Sequence, residues 1–108
     1  MTDTELGPGA LSRIRDMLRP AFGERLRGVV LYGSEARGEA SPESDLDVLV
    51  LLDGPLALAC DLKTAIQAVY PLQLELSRPI HLMPVDIEVY EAGHFALYRN
   101  ARAEGIVA

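Results

Sequence analysis

The chain has 108 residues, which is enough for one domain with one modest hydrophobic core. Its 49% hydrophobic and 24% charged residues are typical of a globular protein, and no apolar run approaches the roughly 18–20 residues needed to cross a bilayer. The net charge of −6 argues against a broad nucleic-acid-binding face, because such a face neutralises phosphates with Lys and Arg. We therefore expect a single domain over residues 1–108.

The amino terminus, MTDTELGPG, lacks the basic segment and apolar core of a signal peptide, which predicts a cytoplasmic protein. The single cysteine, Cys60, has no partner for an internal disulfide and lies in an apolar stretch, so we interpret it as a buried small hydrophobic residue. Two separated histidines make no zinc site. We interpret His81 as a hydrogen-bonded core residue, Met83 as core and His94 as exposed.

Apolar residues recur at helical spacing at the start of the chain and predict a first helix at about residues 9–19, ended or bent near Pro20. Residues 27–32 then predict a first strand and residues 45–52 a second. Both faces of the second strand become apolar after its first three residues. That pattern predicts a central strand covered on both sides, with a polar mouth at one end.

The second half of the chain alternates helix and strand. A turn at Asp53-Gly54-Pro55 precedes a second predicted helix, which Pro71 interrupts. Residues 71–77 fit a helical turn or a strand, and we favour the helix. Residues 80–85 predict a third strand, followed by a short helix that begins near Asp86.

A last predicted helix contains Phe95, Leu97 and Tyr98 and stops at Gly105. Residues 106–107 could add a final short strand. Together these elements predict an α/β (α+β) fold in which a small mixed sheet is covered by helices.

Two aspartates and a Gly-Ser turn bracket the stretch from Gly33 to Leu52. Successive side chains of a strand alternate between its faces, so Asp45 and Asp47 should project to the same side, roughly 6–7 Å apart along the chain. Upstream, a strand ends at Gly33-Ser34, where the residue types change to those of a first helical turn. Free backbone N–H groups at such a turn favour phosphate oxygens.

Two adjacent carboxylates repel each other unless protons or cations lie between them. Carboxylates together with substrate phosphates are the ligands that Mg²⁺ prefers, and two such ions can bind both the attacking and the leaving oxygen of a nucleotidyl transfer. We therefore predict two Mg²⁺ ions at Asp45 and Asp47, with Mn²⁺ as a substitute. A calcium-binding loop is excluded because continuous apolar strand follows Asp47.

Each of the other residues near the turn has two possible roles. Ser34 is a candidate phosphate ligand and also a candidate helix cap. Arg37 could bind phosphate bidentately or hold the loop before Asp45. Gly33 fits a turn, and the close approach of its backbone to a phosphate needs the same missing side chain.

This pattern resembles the signature of the DNA polymerase beta superfamily of nucleotidyltransferases, and in particular its minimal nucleotidyltransferase branch. The resemblance extends to the closing segment at residues 98–106 and covers nearly the whole chain. The residues of the motif that carry it are Gly33, Ser34, Ala36, Arg37, Gly38, Ser44, Asp45 and Asp47. It implies that Gly33, Ser34, Arg37 and Ser44 bind the nucleotide.

The resemblance also implies an activity and a partner. Members of the superfamily transfer a nucleoside monophosphate from a nucleoside triphosphate to a hydroxyl group, and many minimal members are antitoxins beside a helical HEPN toxin. AMP from ATP is the expected donor, and a hydroxyl of a HEPN-type protein partner is the expected acceptor. The sequence does not fix the oligomeric state, and a homo-oligomer is compatible with it.

One feature departs from the family pattern. Active members usually supply a third Asp or Glu from a neighbouring strand, and the third predicted strand, residues 80–85, contains neither. Asp86 at its end is a candidate for this catalytic role, although we favour the role of helix cap for it, and Glu75 qualifies only if residues 72–77 turn inward. The alternative function is therefore a nucleotide-binding and partner-binding module with weak or no turnover.

Overall fold

The computed structural model describes residues 8–33, 45–76 and 78–108. Its helices are α1 (Pro8–Phe22), α2 (Leu58–Glu75), α3 (Ile87–Ala92) and α4 (Ala96–Glu104). Its strands are β1 (Leu26–Tyr32), β2 (Leu46–Leu52), β3 (Ile80–Asp86) and β4 (Ile106–Val107). A short 3-10 helix, Gly23–Arg25, links α1 to β1.

The four strands form one mixed sheet in the order β3-β2-β1-β4, which confirms the predicted fold class. β1 is antiparallel to β2 and to β4, whereas β2 and β3 are parallel. A parallel neighbour requires a crossover connection, and α2 supplies it. β2 is therefore an interior strand, as its apolar faces predict, and β3 is an edge strand.

Side chains of β2 contribute alternately to two hydrophobic cores. Leu46, Val48, Val50 and Leu52 pack with α1 and α2 on one face of the sheet. Leu49 and Leu51 pack on the other face with Val85 and with residues of α3 and α4. Asp45 and Asp47 lie an even number of residues from Leu49, so their side chains belong to the same face of the sheet, which α3 and α4 cover.

Two predicted helix boundaries were wrong for the same reason. α1 continues through Pro20 to Phe22, and α2 continues through Pro71 to Glu75. Proline removes a helical hydrogen bond and leaves the carbonyl of residue i−4 without its partner. Both prolines and both i−4 residues, Asp16 and Gln67, are exposed, so water can take the place of the missing donor. The preference for helix at residues 71–75 is confirmed.

The burial of several residues also differs from the prediction. Cys60 is exposed, because α2 turns Asp61, Ala65, Val69 and Leu72 towards the sheet instead. Met83 is 40% exposed because β3 lies at the edge of the sheet. His94 is exposed, as predicted.

An ion pair between the half-exposed Arg25 and the buried Asp61 fixes the connection between β2 and α2. The Arg25 guanidinium donates to both carboxylate oxygens of Asp61, at 3.1 and 3.0 Å, and also to the carbonyl of Asp53 at 3.3 Å. Asp61 is 5% exposed and accepts a further hydrogen bond from the backbone N–H of Ala57 at 3.1 Å. The hydrogen bonds from Arg25 hold the pKa of Asp61 below its usual range.

We predict that Arg25→Ala lowers the free energy of unfolding by about 1–3 kcal/mol, because it leaves the buried Asp61 carboxylate without its main donor. The matched control is Arg27→Ala, which removes an exposed ion pair with Asp53 and should cost about 0–1 kcal/mol. Urea unfolding at pH 7 measures both changes. Equal effects of the two substitutions would contradict the account.

The same pair predicts a pH dependence with a definite sign. Because the pKa of Asp61 is lower in the folded than in the unfolded protein, its stabilisation is present above the unfolded pKa of about 3.9 and is lost as the pH falls through the folded value. The stability difference between the native chain and Arg25→Ala should therefore shrink as the pH is lowered below about 4.

Candidate active site

The predicted aspartate pair lies at the polar mouth of the sheet. Asp45 immediately precedes β2, and Asp47 is its second residue, paired in register with Tyr32 at the end of β1. The carboxylates of Asp45 and Asp47 retain 42% and 32% of their side-chain exposure. They therefore stand half-buried where the two strands meet the solvent.

The structure brings a third polar side chain to this pair, and it is His81. In the parallel register of β2 and β3, His81 is the direct partner of Asp47. Its Nε2 atom lies 3.4 Å from Oδ2 of Asp45, and its Nδ1 atom lies 3.7 Å from Oδ1 of Asp47. The imidazole is 60% exposed, so the interpretation of His81 as a core residue was wrong.

Two local contacts fix the start of β3 beside the start of β2. The backbone N–H of Leu46 donates to the carbonyl of Pro79 at 2.8 Å. The side-chain amide of Gln73 on α2 donates to the carbonyl of Arg78 at 2.8 Å and accepts from the N–H of Ile80 at 2.7 Å. Gln73 thus fixes both ends of the turn at residues 78–80, and His81 directly follows this turn and lies beside the aspartates.

Burial and like charge both act on Asp47. Desolvation raises the pKa of its carboxyl group, the neighbouring His81 lowers it, and the charge of Asp45 raises it further, with a net upward direction. The pKa of Tyr32 is also raised, first by burial and then by Asp47 and Tyr98. The site therefore disfavours a second negative charge, as two carboxylates without a cation should.

The missing side chain of Gly33 makes room for the Asp47 carboxylate. The Gly33 φ of +78° lies in the left-handed region, and a Cβ atom there would approach Oδ2 of Asp47 to 2.7 Å. A side chain at position 33 would therefore push the carboxylate away from its present position. A cavity of about 230 Å³ adjoins the glycine and is lined by Tyr32, Gly33, Leu97, Asn100, Ala101 and Glu104.

The other predicted site residues are not all at this mouth. Ser34, Arg37 and Ser44 lie outside the described residues, as does the helix predicted after Gly33. Asp86 is the partner of Leu52 at the opposite end of β3, five residues or about 16 Å along the strand from His81. Its carboxylate accepts from the N–H of Glu88 at 2.8 Å and so caps α3.

Glu75 is also excluded from the site by its contacts. It ends α2, where it is exposed and accepts two hydrogen bonds from the Arg13 guanidinium, at 2.7 and 3.2 Å. The structure therefore brings neither candidate for a third carboxylate to Asp45 and Asp47. The sequence did contain a signal for His81, namely its position in β3, but the register that makes it the neighbour of Asp47 could not be read from the chain.

The aspartates fit a divalent cation by their chemistry. They are oxygen donors at the start of one strand, and burial, with the charge of Asp45 as a smaller cause, raises the pKa of Asp47. Among residues 8–33, 45–76 and 78–108, no three His, Cys, Asp or Glu side chains already stand around one ion-sized point. A nucleotide's phosphates would supply the remaining oxygen ligands.

Comparison with known proteins identifies the family. The sequence model of the nucleotidyltransferase domain matches residues 11–106. The chain therefore belongs to the nucleotidyltransferase domain family.

One relative resembles part of the chain in sequence. A protein from Methanocaldococcus jannaschii named "Putative protein adenylyltransferase" is 31% identical over 61 residues, which are 56% of this chain and 61% of that protein. The chain thus spans less than two thirds of the relative's length.

Solved structures share the fold at lower identity. A toxin–antitoxin structure with AMP-PNP has a TM-score of 0.64 at 20% identity and is matched over 89% of this chain and 69% of its own. A mutant of the toxin–antitoxin pair MntA-HpeT has a TM-score of 0.62, also at 20% identity, over 90% of this chain and 69% of its own. At these identities the likeness establishes the fold alone.

Burial of Asp47, with the charge of Asp45 as a smaller cause, predicts the sign of a stability change. The raised pKa of Asp47 means that the folded state favours its protonated form, a preference present below the unfolded pKa of about 3.9 and lost as the pH rises through the folded value. Asp47→Asn removes the charge at nearly constant shape, so the metal-free variant should melt at an equal or higher temperature at pH 7.

Thermal unfolding in excess chelator measures this change. The gain should shrink as the pH falls through the raised pKa of Asp47 and should be lost below about 4, where the native aspartate is protonated in both the folded and the unfolded state. A large loss of stability at pH 7 would instead identify Asp47 as a structural residue.

Proposed function

We propose that this domain transfers AMP from ATP to a hydroxyl group of a protein partner, with a divalent cation at Asp45 and Asp47. The observation that carries the proposal is the pairing of these two carboxylates at the start of β2, with the Asp47 carboxylate packed against the backbone of Gly33. Family membership and the adenylyltransferase relative support the reaction class. Magnesium is the proposed ion, with manganese as a substitute.

The roles of the chain's own residues follow from their positions. Asp45 and Asp47 would hold the cations, which neutralise the charge that builds up on the phosphate oxygens. Gly33 with Ser34, Arg37 and Ser44 would bind the triphosphate. The hydroxyl oxygen of the acceptor would form a bond to the α-phosphorus and release its proton to water, while the α–β anhydride bond breaks and pyrophosphate leaves.

A protein acceptor is supported by an apolar groove beside the site. The groove has a volume of about 440 Å³ and runs along the β3 edge of the sheet, two residues from His81. Leu58, Met83 and Val89, which line it, are 59%, 40% and 40% exposed. Because an exposed apolar surface of this kind marks an interaction site, a helical partner of the HEPN type could dock here and present its hydroxyl.

The role as antitoxin of such a partner is part of this proposal. It is supported by the structural likeness to proteins of toxin–antitoxin complexes. A described helix long and apolar enough to span a membrane is not found, so nothing in residues 8–33, 45–76 and 78–108 points to a membrane partner. Action in the cytoplasm follows from the same proposal.

The second candidate function is the binding of nucleotide and partner without transfer of AMP. The observation that favours it is that His81, and no third carboxylate, lies beside the aspartate pair. A carboxylate in that place would help orient or deprotonate the acceptor hydroxyl. Without it, the protein could bind nucleotide and cover its partner while turning over slowly.

Labelled ATP distinguishes the two functions. The protein is incubated with Mg²⁺ and with a helical protein of the HEPN type as the candidate acceptor, using ATP labelled at the α- or the γ-phosphate. AMP transfer predicts that only the α-label becomes covalently attached to the partner, and that Asp47→Asn lowers labelling by orders of magnitude. Capture of the partner with neither label attached would favour the binding module.

The groove is tested in the same assay by one pair of substitutions. Met83→Asp places a charge in the groove and should lower partner labelling and capture, while leaving ATP binding unchanged. Val107→Asp is the matched control, since Val107 is 66% exposed on β4 at the opposite edge of the sheet. Equal losses in the two variants would exclude the groove as the docking surface.

A further inference from the structure

A cavity between the end of β1 and helix α4 adjoins the aspartate site. It is lined by Gly33, whose backbone packs against the Asp47 carboxylate. It is also lined by Tyr32, the register partner of Asp47 on the neighbouring strand. Residues directly opposite each other in an antiparallel pair point to the same face of the sheet. The cavity therefore lies beside the Asp47 carboxylate, on the face to which that carboxylate belongs.

Helix α4 turns one side towards this cavity. The four lining residues of α4 follow one another at steps of three, one and three residues, which is the spacing of one helix face: Leu97, Asn100, Ala101 and Glu104. The leucine and alanine side chains, with the Tyr32 ring, make much of the lining apolar, and the asparagine contributes a neutral amide. Apolar walls with a few polar groups are typical of a site for a small molecule.

The size and charge of the cavity suit one part of a nucleotide. Its volume of about 230 Å³ is below the about 300–1,000 Å³ of pockets that enclose a whole drug-sized ligand, and above the about 150 Å³ of an engineered cavity that binds benzene. A purine base is larger than benzene and fits between these limits. Phosphate is disfavoured there, because the charged side chain among the described lining residues is the carboxylate of Glu104.

We propose that this cavity binds the purine base of the nucleotide and that Asn100 makes it selective for adenine. An asparagine amide presents a donor and an acceptor side by side, and these match N7 and the N6 amino group of adenine. Guanine has acceptors at both corresponding positions, so the Asn100 carbonyl would face O6 without a hydrogen bond. The inference rests on the proposed function, because it assumes a nucleotide whose α-phosphate lies at the aspartate pair.

The preference for one base over the other tests the role of Asn100. Calorimetry gives the dissociation constants of AMP-PNP and GMP-PNP, each with Mg²⁺, for the whole chain. The native protein should bind AMP-PNP more tightly, and Asn100→Ala should lower this preference by about three- to tenfold, the scale of one neutral hydrogen bond. Asn100→Arg should move the preference towards GMP-PNP, since a guanidinium donates to both O6 and N7 of guanine.

The matched control for these variants is Arg99→Ala. Arg99 is the preceding residue of α4, is exposed and donates to the carbonyl of Gly93 at 2.9 Å, and it does not line the cavity. Its loss should leave the ratio of the two dissociation constants unchanged. A preference that is the same in the native chain and in both Asn100 variants would overturn the inference.

A second substitution tests the cavity itself. Leu97 is 40% exposed, so Leu97→Trp can be accommodated at the surface of the fold while its larger ring fills the cavity. It should weaken AMP-PNP binding about tenfold or more and leave the binding of inorganic tripolyphosphate with Mg²⁺ unchanged. Phe95→Trp, at a 59% exposed position outside the lining, should change neither, and thermal unfolding verifies that each variant is folded. Unchanged AMP-PNP affinity in a folded Leu97→Trp protein would contradict the proposal.

Tripolyphosphate, which has no base, separates this failure from a failure of the proposed function. If Asp47→Asn weakens tripolyphosphate binding while the Leu97 and Asn100 variants bind AMP-PNP like the native chain, the aspartate site stands and the base lies elsewhere. If the native chain binds neither tripolyphosphate nor AMP-PNP, the proposed function fails together with the inference.

Discussion

The repulsion between two carboxylates on one face of a central strand is the constraint on which this site depends. β2 is buried on both faces except at its mouth, so Asp45 and Asp47 cannot turn away from each other without exposing apolar side chains. The sheet thus holds two like charges close together, and partial burial adds to the free-energy cost of keeping both carboxylates charged. The site therefore favours the binding of a cation, and phosphate oxygens can complete the coordination of that cation.

The elements around the pair keep it in place from three sides. Gly33 follows the end of β1, and its missing side chain leaves room for the Asp47 carboxylate, while β3 places His81 in register with Asp47. The crossover helix α2 is held at its start by the Arg25–Asp61 ion pair and at its end by Gln73. Stability and function are therefore linked through α2, although none of its residues contacts the aspartates.

Sequence reasoning reached the fold and the aspartate pair because both follow from local periodicity. Alternation along β2 was sufficient to place Asp45 and Asp47 on one face, opposite Leu46 and Val48. Sequence reasoning failed at Pro20 and Pro71, since helix propensity does not reveal that each proline faces water. Burial of Cys60 and Met83 was also misjudged, because an apolar stretch does not show which side of a helix or which edge of a sheet is covered.

The position of His81, the third group of the site, could not be predicted from the sequence, and the reason is a different one. The register between β2 and β3 is set across a crossover helix, and the clamp formed by Gln73 fixes it through tertiary contacts. Sequence spacing alone therefore pointed to Asp86, at the other end of the strand, and assigned His81 to the core. Non-local pairing of this kind decides which side chains meet, and it is the part of a site that periodicity does not encode.

The central claim is that the charge of the aspartate pair is neutralised by a metal ion bound together with nucleotide. NMR titration of the Asp47 carboxyl carbon tests it most directly, first in the metal-free protein and then with saturating Mg²⁺ and AMP-PNP. The account predicts a pKa above the usual range for the free protein, and a pKa below that range once the ion and the nucleotide are bound. A pKa of Asp47 that the ion and the nucleotide leave unchanged would contradict it.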